Sequence, residues 1–342
     1  MANLSLFSKF KTLGFALCSL LLSSAANANN TNSFVDTNSY SSDAGPIITT
    51  MTVPPVPALK NTQFLALWPG YTHGSVLQPV LSWSKPDGWG ISSWNCCSKK
   101  PYSSKKYPVK VGDAIFGIIA PTCPVGEKAC GRWKVTTVNL NSGQVSVLDN
   151  TELDISGNKN LTPAFFETQS FSECRELPAN TEFTFSTIAY TANLKPLNPD
   201  WHSGVNANDG KGHSITPIDC AWTHEISPPI FRLGYSSGGT PTPGFDITLS
   251  ENTLRVKAGD SRQAVVTMTP RNGFKGAAIL KTYGLPAGVQ ASFDNPSLDG
   301  SGLPGNLTLA VSADVKPGAY PIAAFGTSNT FSAAAPALLI IE

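Results

Sequence analysis

Short runs of β-branched and aromatic residues, separated by Gly, Pro and Asn turns, recur through most of the chain. Residues 133–138 and 184–188 alternate apolar and polar side chains, which is the pattern of a strand buried on one face. No segment carries a helical period long enough for an amphipathic helix. The sequence therefore predicts an all-β protein, with its first clear strands at 76–83, 114–120, 133–139, 145–149 and 182–190.

The N-terminal residues are typical of an export signal. Lys9 and Lys11 precede an apolar run at 13–22, and the small residues that follow end at Ala28. The run is shorter than the roughly 20 residues that span a bilayer. We therefore predict a signal peptide at 1–28 and a secreted or periplasmic protein. Residues 29–60, rich in Asn, Ser, Thr and Pro, are interpreted as a flexible leader, or a propeptide.

Composition then divides the rest of the chain in two. Residues 61–230 are predicted to form a jelly-roll double sheet, and 231–243, rich in Ser, Gly, Thr and Pro, a linker. Residues 244–342 have turns at the spacing of a seven-strand sandwich. The turns at 273–276, 284–289 and 317–320 resemble those of the immunoglobulin-like modules of secreted bacterial proteins. That resemblance implies a spacing, stabilising or surface-binding module, through which a surface or a glycan could be contacted.

Six cysteines remain after the predicted signal peptide, and all lie before residue 231. An even number in an exported chain favours up to three disulfides, with Cys123 and Cys130 able to close a short loop. Adjacent Cys96 and Cys97 are not expected to bond each other, so each is expected to form a disulfide with another cysteine. There is no Cys-x-x-Cys pair and no zinc-finger His spacing, so we predict no metal and no cofactor.

Charge is sparse. Charged residues make up 14% of the chain and the formal net charge is +1. This balance argues against nucleic acid or a membrane as a partner, and we expect a monomer. A fold that depends on few ionised carboxylates also loses less stability in acid, which permits acid tolerance.

Two common hydrolase signatures are missing from the sequence: a Gly-x-Ser-x-Gly elbow and a His-Glu-x-x-His helix. His202, His213 and His224 recur at intervals of eleven residues beside acidic residues. Their spacing matches no ligand pattern, so polar residues on a long loop are the preferred interpretation over a metal site.

An ordered set of short motifs is more informative. Trp68-Pro69-Gly70 precedes a strand containing Gln78, and a Gly-Asp-Ala-Ile segment follows at 112–115. A hairpin with Asn-Ser-Gly-Gln at its turn comes next, and then Ala, two Phe and Glu167. This order is similar to that of the glutamic peptidase (eqolisin) family. The departures are a shorter loop before Gln78 and a Lys- and Cys-rich segment before the Gly-Asp motif.

The resemblance implies that Gln78 and Glu167 are catalytic and that Trp68 walls the cleft beside them. Trp68, Trp83 and Trp94 are predicted to bind a polypeptide substrate, because a groove for an extended peptide is usually apolar, and the core is the alternative position for these residues. In such a pair, Glu acts as general base towards a water held between the two side chains, and the Gln amide faces the developing oxyanion. The implied activity is that of an acid-active endopeptidase.

Two alternatives use the same scaffold. Jelly rolls with exposed Trp are common lectin frameworks, so a non-catalytic carbohydrate-binding or adhesive protein is the rival hypothesis. Taken singly, Gln78 could satisfy backbone groups beside Pro79, and Glu167 could be a solvated residue at a strand end. Whether the two side chains face each other distinguishes these hypotheses.

Overall fold

The computed structural model describes residues 29–37, 43–73, 75–96, 102–128, 130–152 and 160–342. The predicted signal peptide at 1–28 and Cys97 lie outside them. Within the described ranges the chain forms β-strands and one 3-10 turn, Cys174–Glu176, and no helix is long and apolar enough to cross a membrane. The predicted all-β fold class is confirmed.

The first sandwich is built from fifteen strands: β1 (Asn30–Asp36), β2 (Ala44–Thr52), β3 (Phe64–His73), β4 (Ser75–Ser84), β5 (Gly88–Cys96), β6 (Tyr102–Ser103), β7 (Tyr107–Pro108), β8 (Ala114–Pro121), β9 (Arg132–Asn139), β10 (Val145–Glu152), β11 (Asn160–Gln169), β12 (Glu182–Thr191), β13 (His202–Asn208), β14 (Thr223–Ser227) and β15 (Ile230–Gly234).

These strands form two stacked antiparallel sheets. The eight-stranded sheet has the order β13-β1-β11-β3-β4-β5-β6, with β7 also paired to β5. The seven-stranded sheet has the order β10-β9-β8-β2-β12-β15-β14. Apolar side chains from both sheets interleave to form the core between them, including Leu65, Leu81 and Phe166 from the first and Met51, Ile115 and Phe185 from the second.

The interpretation of residues 29–60 as a flexible leader or propeptide is wrong for most of that segment. β1 lies between β11 and β13 inside the eight-stranded sheet, and β2 lies between β8 and β12 near the middle of the other. Both faces of β2 are covered, so its sequence shows no alternation of apolar and polar residues. The predicted boundary at residue 61 therefore belongs near residue 29.

The predicted linker at 231–243 is also too long at its start. β15 pairs with both β12 and β14 in the seven-stranded sheet, so the connection begins after Gly234. Pro228 and Pro229, which border the predicted linker, form the turn between β14 and β15.

The C-terminal module is a second sandwich of nine strands: β16 (Gly244–Leu249), β17 (Thr253–Val256), β18 (Ser261–Arg271), β19 (Ala278–Tyr283), β20 (Val289–Phe293), β21 (Ser297–Leu298), β22 (Gly305–Val311), β23 (Gly318–Thr327) and β24 (Ser332–Ile341). They form sheets of four strands, β16-β18-β22-β20, and five strands, β17-β24-β23-β19-β21. The sequence pattern predicted seven strands, and the two additional short ones are the edge strands β17 and β21.

The module packs directly on the seven-stranded sheet. Ala334, Leu338 and Ile340 of β24 share one apolar cluster with Ile48 and Phe116 of the first sandwich. The alternate residues of β24 point into the module's own core. Because β24 is covered on both faces, its sequence is a continuous run of small and aliphatic residues.

Polar contacts extend this junction. The hydroxyl of Thr50 donates to the carbonyl of Ala334 at 2.6 Å, and the amide of Ser332 donates to the carbonyl of Gly112 at 2.8 Å. Gly112 has φ +84°, and a Cβ there would lie 2.2 Å from the carbonyl oxygen of Thr330. The close approach of the two sandwiches at this turn therefore requires glycine.

Disulfides join Cys123 to Cys130 and Cys174 to Cys220, which confirms the predicted short loop. Cys96 is also disulfide-bonded. These bonds are typical of a chain that folds in an oxidising compartment.

Candidate active site on the outer face of the eight-stranded sheet

Gln78 and Glu167 lie on the same face of the eight-stranded sheet, the one that points away from the seven-stranded sheet and is called here the outer face. Its apolar cluster contains residues of β1, β3, β4, β5 and β11 alone, whereas the clusters on the other face combine both sheets. β13 and β1 bring Asn side chains to one side of this face, and β5 brings Trp94 to the other.

Glu167 lies on β11, directly opposite Asn32 on one neighbouring strand and Ala66 on the other. Its carboxyl is half-buried and accepts two hydrogen bonds: Oε2 from Trp68 Nε1 at 3.3 Å, and Oε1 from Gln169 Nε2 at 3.0 Å. Burial raises the pKa of Glu167, and the two hydrogen bonds oppose that rise without cancelling it. This carboxyl therefore holds its proton at a higher pH than an ordinary Glu.

Trp68 connects Glu167 to the aromatic part of the face. It lies opposite Phe165, and the two rings stack with centroids 4.2 Å apart. A Cβ at Gly70 would lie 3.5 Å from the Trp68 ring and 2.5 Å from the carbonyl oxygen of Leu77. The glycine is therefore required by the close approach of the β4 backbone and not by the indole.

Gln78 lies on β4, directly opposite Trp94 of β5. The residue is 5% exposed, and its Oε1 is buried without a hydrogen-bond partner. An unpaired buried amide oxygen costs about 1–3 kcal/mol.

The strand register separates Gln78 from Glu167. The pairing of β3 with β4 places Gln78 across from position 70, whereas Glu167 lies across from Ala66. The offset is about 13 Å along the strands and about 10 Å across two strand spacings, or roughly 16 Å between Cα atoms. Trp68 occupies the intervening position, so one water cannot touch both side chains. The predicted pair that shares a water is therefore wrong, because the two side chains do not face each other.

Of the three tryptophans predicted to bind substrate, two lie on the outer face. Trp68 is 4% exposed and donates to Glu167. Trp94 is partly buried beside Gln78, with its Nε1 donating to Ser92 Oγ at 2.6 Å. The prediction for Trp83 is wrong, because Trp83 is 2% exposed and packs in the core between the sheets. Alternation along β4 puts it on the face opposite to Gln78.

The amide residues that surround Glu167 were not predicted from the sequence. Asn32 and Asn30 donate through Nδ2 to Asn206 and Asn208 at 3.0 and 3.1 Å, and Gln169 donates to the carboxyl itself. Alternating Asn residues at 30 and 32 and again at 206 and 208 were the available signal. Such alternation is the mark of two strands that present the same residue type on one face.

The histidine cluster considered from the sequence does not form a site. Among the described residues no group of three or more His, Cys, Asp or Glu could hold a metal ion. His213 Nδ1 lies 2.7 Å from Asp209 Oδ2 on an exposed loop. His224 Nε2 lies 3.0 Å from Ser33 Oγ, but Ser33 is fully buried and a substrate has no access to it.

No protein-family model matches the chain, and no curated protein matches it. Among solved structures, the chain is similar to domains 4 and 5 of the S-layer protein SbsC at 11% identity and TM-score 0.23, covering 46% of this chain and 89% of that one. It is similar to the Vibrio cholerae VesB protease at 10% identity and TM-score 0.23, covering 90% and 98% of the two chains. The D00-D0 domain of intimin matches at 15% identity and TM-score 0.21, covering 55% and 74%. At these TM-scores the similarities carry no argument about function.

Proposed function

We propose that this protein is a secreted, acid-active endopeptidase whose general base is Glu167 and whose oxyanion donor is Gln78. The observation that carries the proposal is the half-buried Glu167 carboxyl, whose pKa is raised and which lies among amide and aromatic side chains. The same face holds the buried amide of Gln78, whose Oε1 has no hydrogen-bond partner. A titratable group with a perturbed pKa beside uncommitted hydrogen-bonding capacity is typical of an active site.

The reaction needs no covalent intermediate. The reaction begins from the ionised form of Glu167, and its raised pKa shifts that form to a higher pH than for an ordinary Glu, so cleavage is expected in the upper part of the acidic range. The carboxylate takes a proton from a water as the water oxygen attacks the carbonyl carbon of a peptide bond. The tetrahedral intermediate then collapses, the C–N bond breaks, and the same carboxyl returns the proton to the leaving amine. The products are a carboxylic acid and an amine, and Glu167 is ionised again.

Gln78 would act through the substrate and not through a shared water. A water beside Glu167 and a carbonyl oxygen hydrogen-bonded to Gln78 Nε2 together account for about 6 Å of the roughly 16 Å between the two Cα atoms. A peptide unit over Trp68 would meet both groups when the two side chains extend towards each other. An amide donor directed at an oxyanion contributes about 3 kcal/mol to transition-state stabilisation.

The proposal is tested by cleavage of denatured casein by the purified mature protein from pH 2 to pH 7. We expect Glu167→Gln to abolish cleavage, and Gln78→Ala to reduce kcat about 100-fold with little change in KM. Glu173→Gln is the matched control, because Glu173 is near in sequence, pairs with Arg175 at the surface and lies outside the face. Cleavage that survives Glu167→Gln, or no cleavage at any pH, would refute the proposal.

A second candidate, glycan binding without catalysis, is favoured by one specific observation. Phe34, Phe165 and Trp68 stack in a row, with ring centroids 5.8 and 4.2 Å apart, beside the Asn pairs of β1 and β13. Phe165 and Trp68 are buried, so the half-buried Phe34 is the ring that a ligand would contact. Aromatic faces next to amide donors and acceptors suit a ligand with both apolar and hydroxyl-bearing surfaces. Saturable quenching of Trp fluorescence by a soluble polysaccharide, weakened by Trp94→Ala and accompanied by no casein cleavage, would support this candidate.

A further inference from the structure

Asn32 is the residue of β1 that lies directly opposite Glu167. Residues so placed in an antiparallel pair have Cβ atoms about 4.5–5.5 Å apart, so their side chains are within contact distance. Asn32 is 5% exposed. A polar side chain that is this deeply buried is expected to use all of its hydrogen-bonding atoms.

The neighbouring strand fixes the orientation of the Asn32 amide. Its Nδ2 donates to Asn206 Oδ1 at 3.0 Å, towards β13. Because the two heteroatoms of a planar amide point in different directions, we infer that Oδ1 faces the β11 side. That Oδ1 is buried and has no hydrogen-bond partner. Asn30 repeats the arrangement two residues away, with Nδ2 bonded to Asn208 and Oδ1 buried without a partner. The two amides are thus aligned in the same direction.

When the Glu167 carboxyl is protonated, its O–H requires a hydrogen-bond acceptor. Both of its oxygens already accept hydrogen bonds, from Trp68 and from Gln169. A protonated carboxyl also has one O–H to donate, and it requires an acceptor. Asn32 Oδ1 is an acceptor without a donor on the strand directly beside it.

We propose that Asn32 is a positioning residue for Glu167: its Oδ1 accepts the hydrogen bond of the protonated carboxyl and holds that O–H in the plane of the outer face. The consequence for the reaction rests on the proposed endopeptidase function. In that reaction Asn32 would favour the proton-bearing form that donates to the leaving amine, and it would touch neither the water nor the substrate.

Few other charges face Glu167. The same-face residues of β3 and β4 include no ionisable side chain within those strands. On β1 the charged residue of this face is Asp36, and on β13 it is His202, opposite Asp36. Both lie two same-face positions beyond Asn32, about 13 Å along the strand, so a change at Asn32 alters the local partner of Glu167 and not these groups.

The test is a carboxyl ¹³C NMR titration of Glu167 in the full mature chain, comparing wild type with Asn32→Leu. Leu is of similar size, and its apolar side chain would by itself raise the pKa of Glu167. We nevertheless expect the pKa of Glu167 to fall by at least one pKa unit, a tenfold loss of proton affinity, because the acceptor for the O–H is gone. Asn206→Leu, which releases the Asn32 amide, should shift the titration in the same direction by less.

Asn30→Leu is the matched control, since it removes the equivalent amide beside position 169, and it should move the Glu167 titration little. A pKa of Glu167 that rises or stays constant in Asn32→Leu would overturn the proposal. If that variant does not fold, Asn206→Leu decides alone, because Asn206 is exposed and its replacement is tolerated more easily. The titration does not depend on casein cleavage, so a failed peptidase assay with a lowered pKa would refute the activity and leave the role of Asn32 intact.

Discussion

The fold favours the neutral form of the Glu167 carboxyl, so the free energy of unfolding should depend on pH through this group. Burial raises its folded pKa above the ordinary value of 4.5. A raised folded pKa gives stability that is complete below the unfolded value and is lost as pH rises through the folded value. We therefore expect wild type to lose about 1.4 kcal/mol between those pH values for each pKa unit that separates them.

Glu167→Gln should remove this pH dependence and be more stable than wild type at neutral pH, because a neutral amide replaces a buried charge. Urea unfolding from pH 4 to pH 8 measures the effect. Glu173→Gln, at the surface, should keep the wild-type slope. An unchanged slope in Glu167→Gln would show that the carboxyl is solvated in the native state.

The hydrogen bond from Trp68 opposes the effect of burial on the pKa of Glu167. Its Nε1–H donates to Glu167 and lowers the pKa of the carboxyl relative to burial alone. Trp68→Phe keeps an aromatic ring against Phe165 and removes the donor. We expect the pKa of Glu167 to rise further in this variant, by ¹³C NMR titration, while Trp94→Phe, whose donor bonds to Ser92, leaves it unchanged. A fall in the Trp68→Phe variant would contradict the hydrogen bond.

The sequence could indicate which residues share the outer face but not how far apart they lie. Gln78, Trp68 and Glu167 were selected because their motifs occur in a family-like order. Their offset depends on strand register, and β11 changes register against β3 between Thr162 and Phe165. No local propensity encodes such an irregularity, because it arises from the pairing of two distant segments.

At the scale of elements, the missed strands share a physical cause. β1 has the sequence NTNSFVD, and its polar side chains are buried because Asn30 and Asn32 bond to Asn residues of β13. β2 is covered on both faces and contains a proline. Neither shows the alternation by which strands at 133–138 and 184–188 were predicted, so composition alone made this segment resemble a leader.

The disulfides Cys123–Cys130 and Cys174–Cys220 provide a test at this scale. In the chain-entropy model, stabilisation grows with the length of the closed loop. Cys174–Cys220 has a sequence separation of 46 and ties the 3-10 turn to the segment before β14, whereas Cys123–Cys130 has a separation of 7. The expected costs of removing each bond are about 4 and about 2.4 kcal/mol.

We therefore expect Cys174→Ala/Cys220→Ala to lose more stability in urea than Cys123→Ala/Cys130→Ala. Both variants remove two sulfur atoms, which makes the pair its own control. Equal losses would mean that unfolded chains with and without the long loop are similarly compact.

The whole molecule differs most from the arrangement that the sequence suggested, in which a linker separates two domains. A linker rich in Ser, Gly, Thr and Pro gives no indication of a contact between the domains, but the module shares an apolar cluster with the seven-stranded sheet. Arg232 of β15 is buried and bonds to Asp246 of β16 at 2.7 Å, and Arg271 of β18 bonds to Glu182 of β12 at 2.9 Å. Small residues on β24 allow this close contact. Sequence periodicity can show that both faces of a strand are buried, but not which surface packs on the second face.

This contact predicts that the first sandwich depends on the module. A chain ending at residue 243 would expose Ile48, Phe116 and Tyr190 on the sheet face that the module now covers. Burying each Phe- or Ile-sized side chain is worth about 1.5–3 kcal/mol. We expect the truncated protein to bind a hydrophobic dye and to melt roughly 10 °C or more below the full chain by calorimetry. Truncation combined with Phe116→Ser should reduce dye binding without restoring the melting temperature, since the lost contacts are not replaced. A truncated chain that melts like the full protein and binds no dye would show that the two sandwiches are energetically independent, as a flexible linker would require.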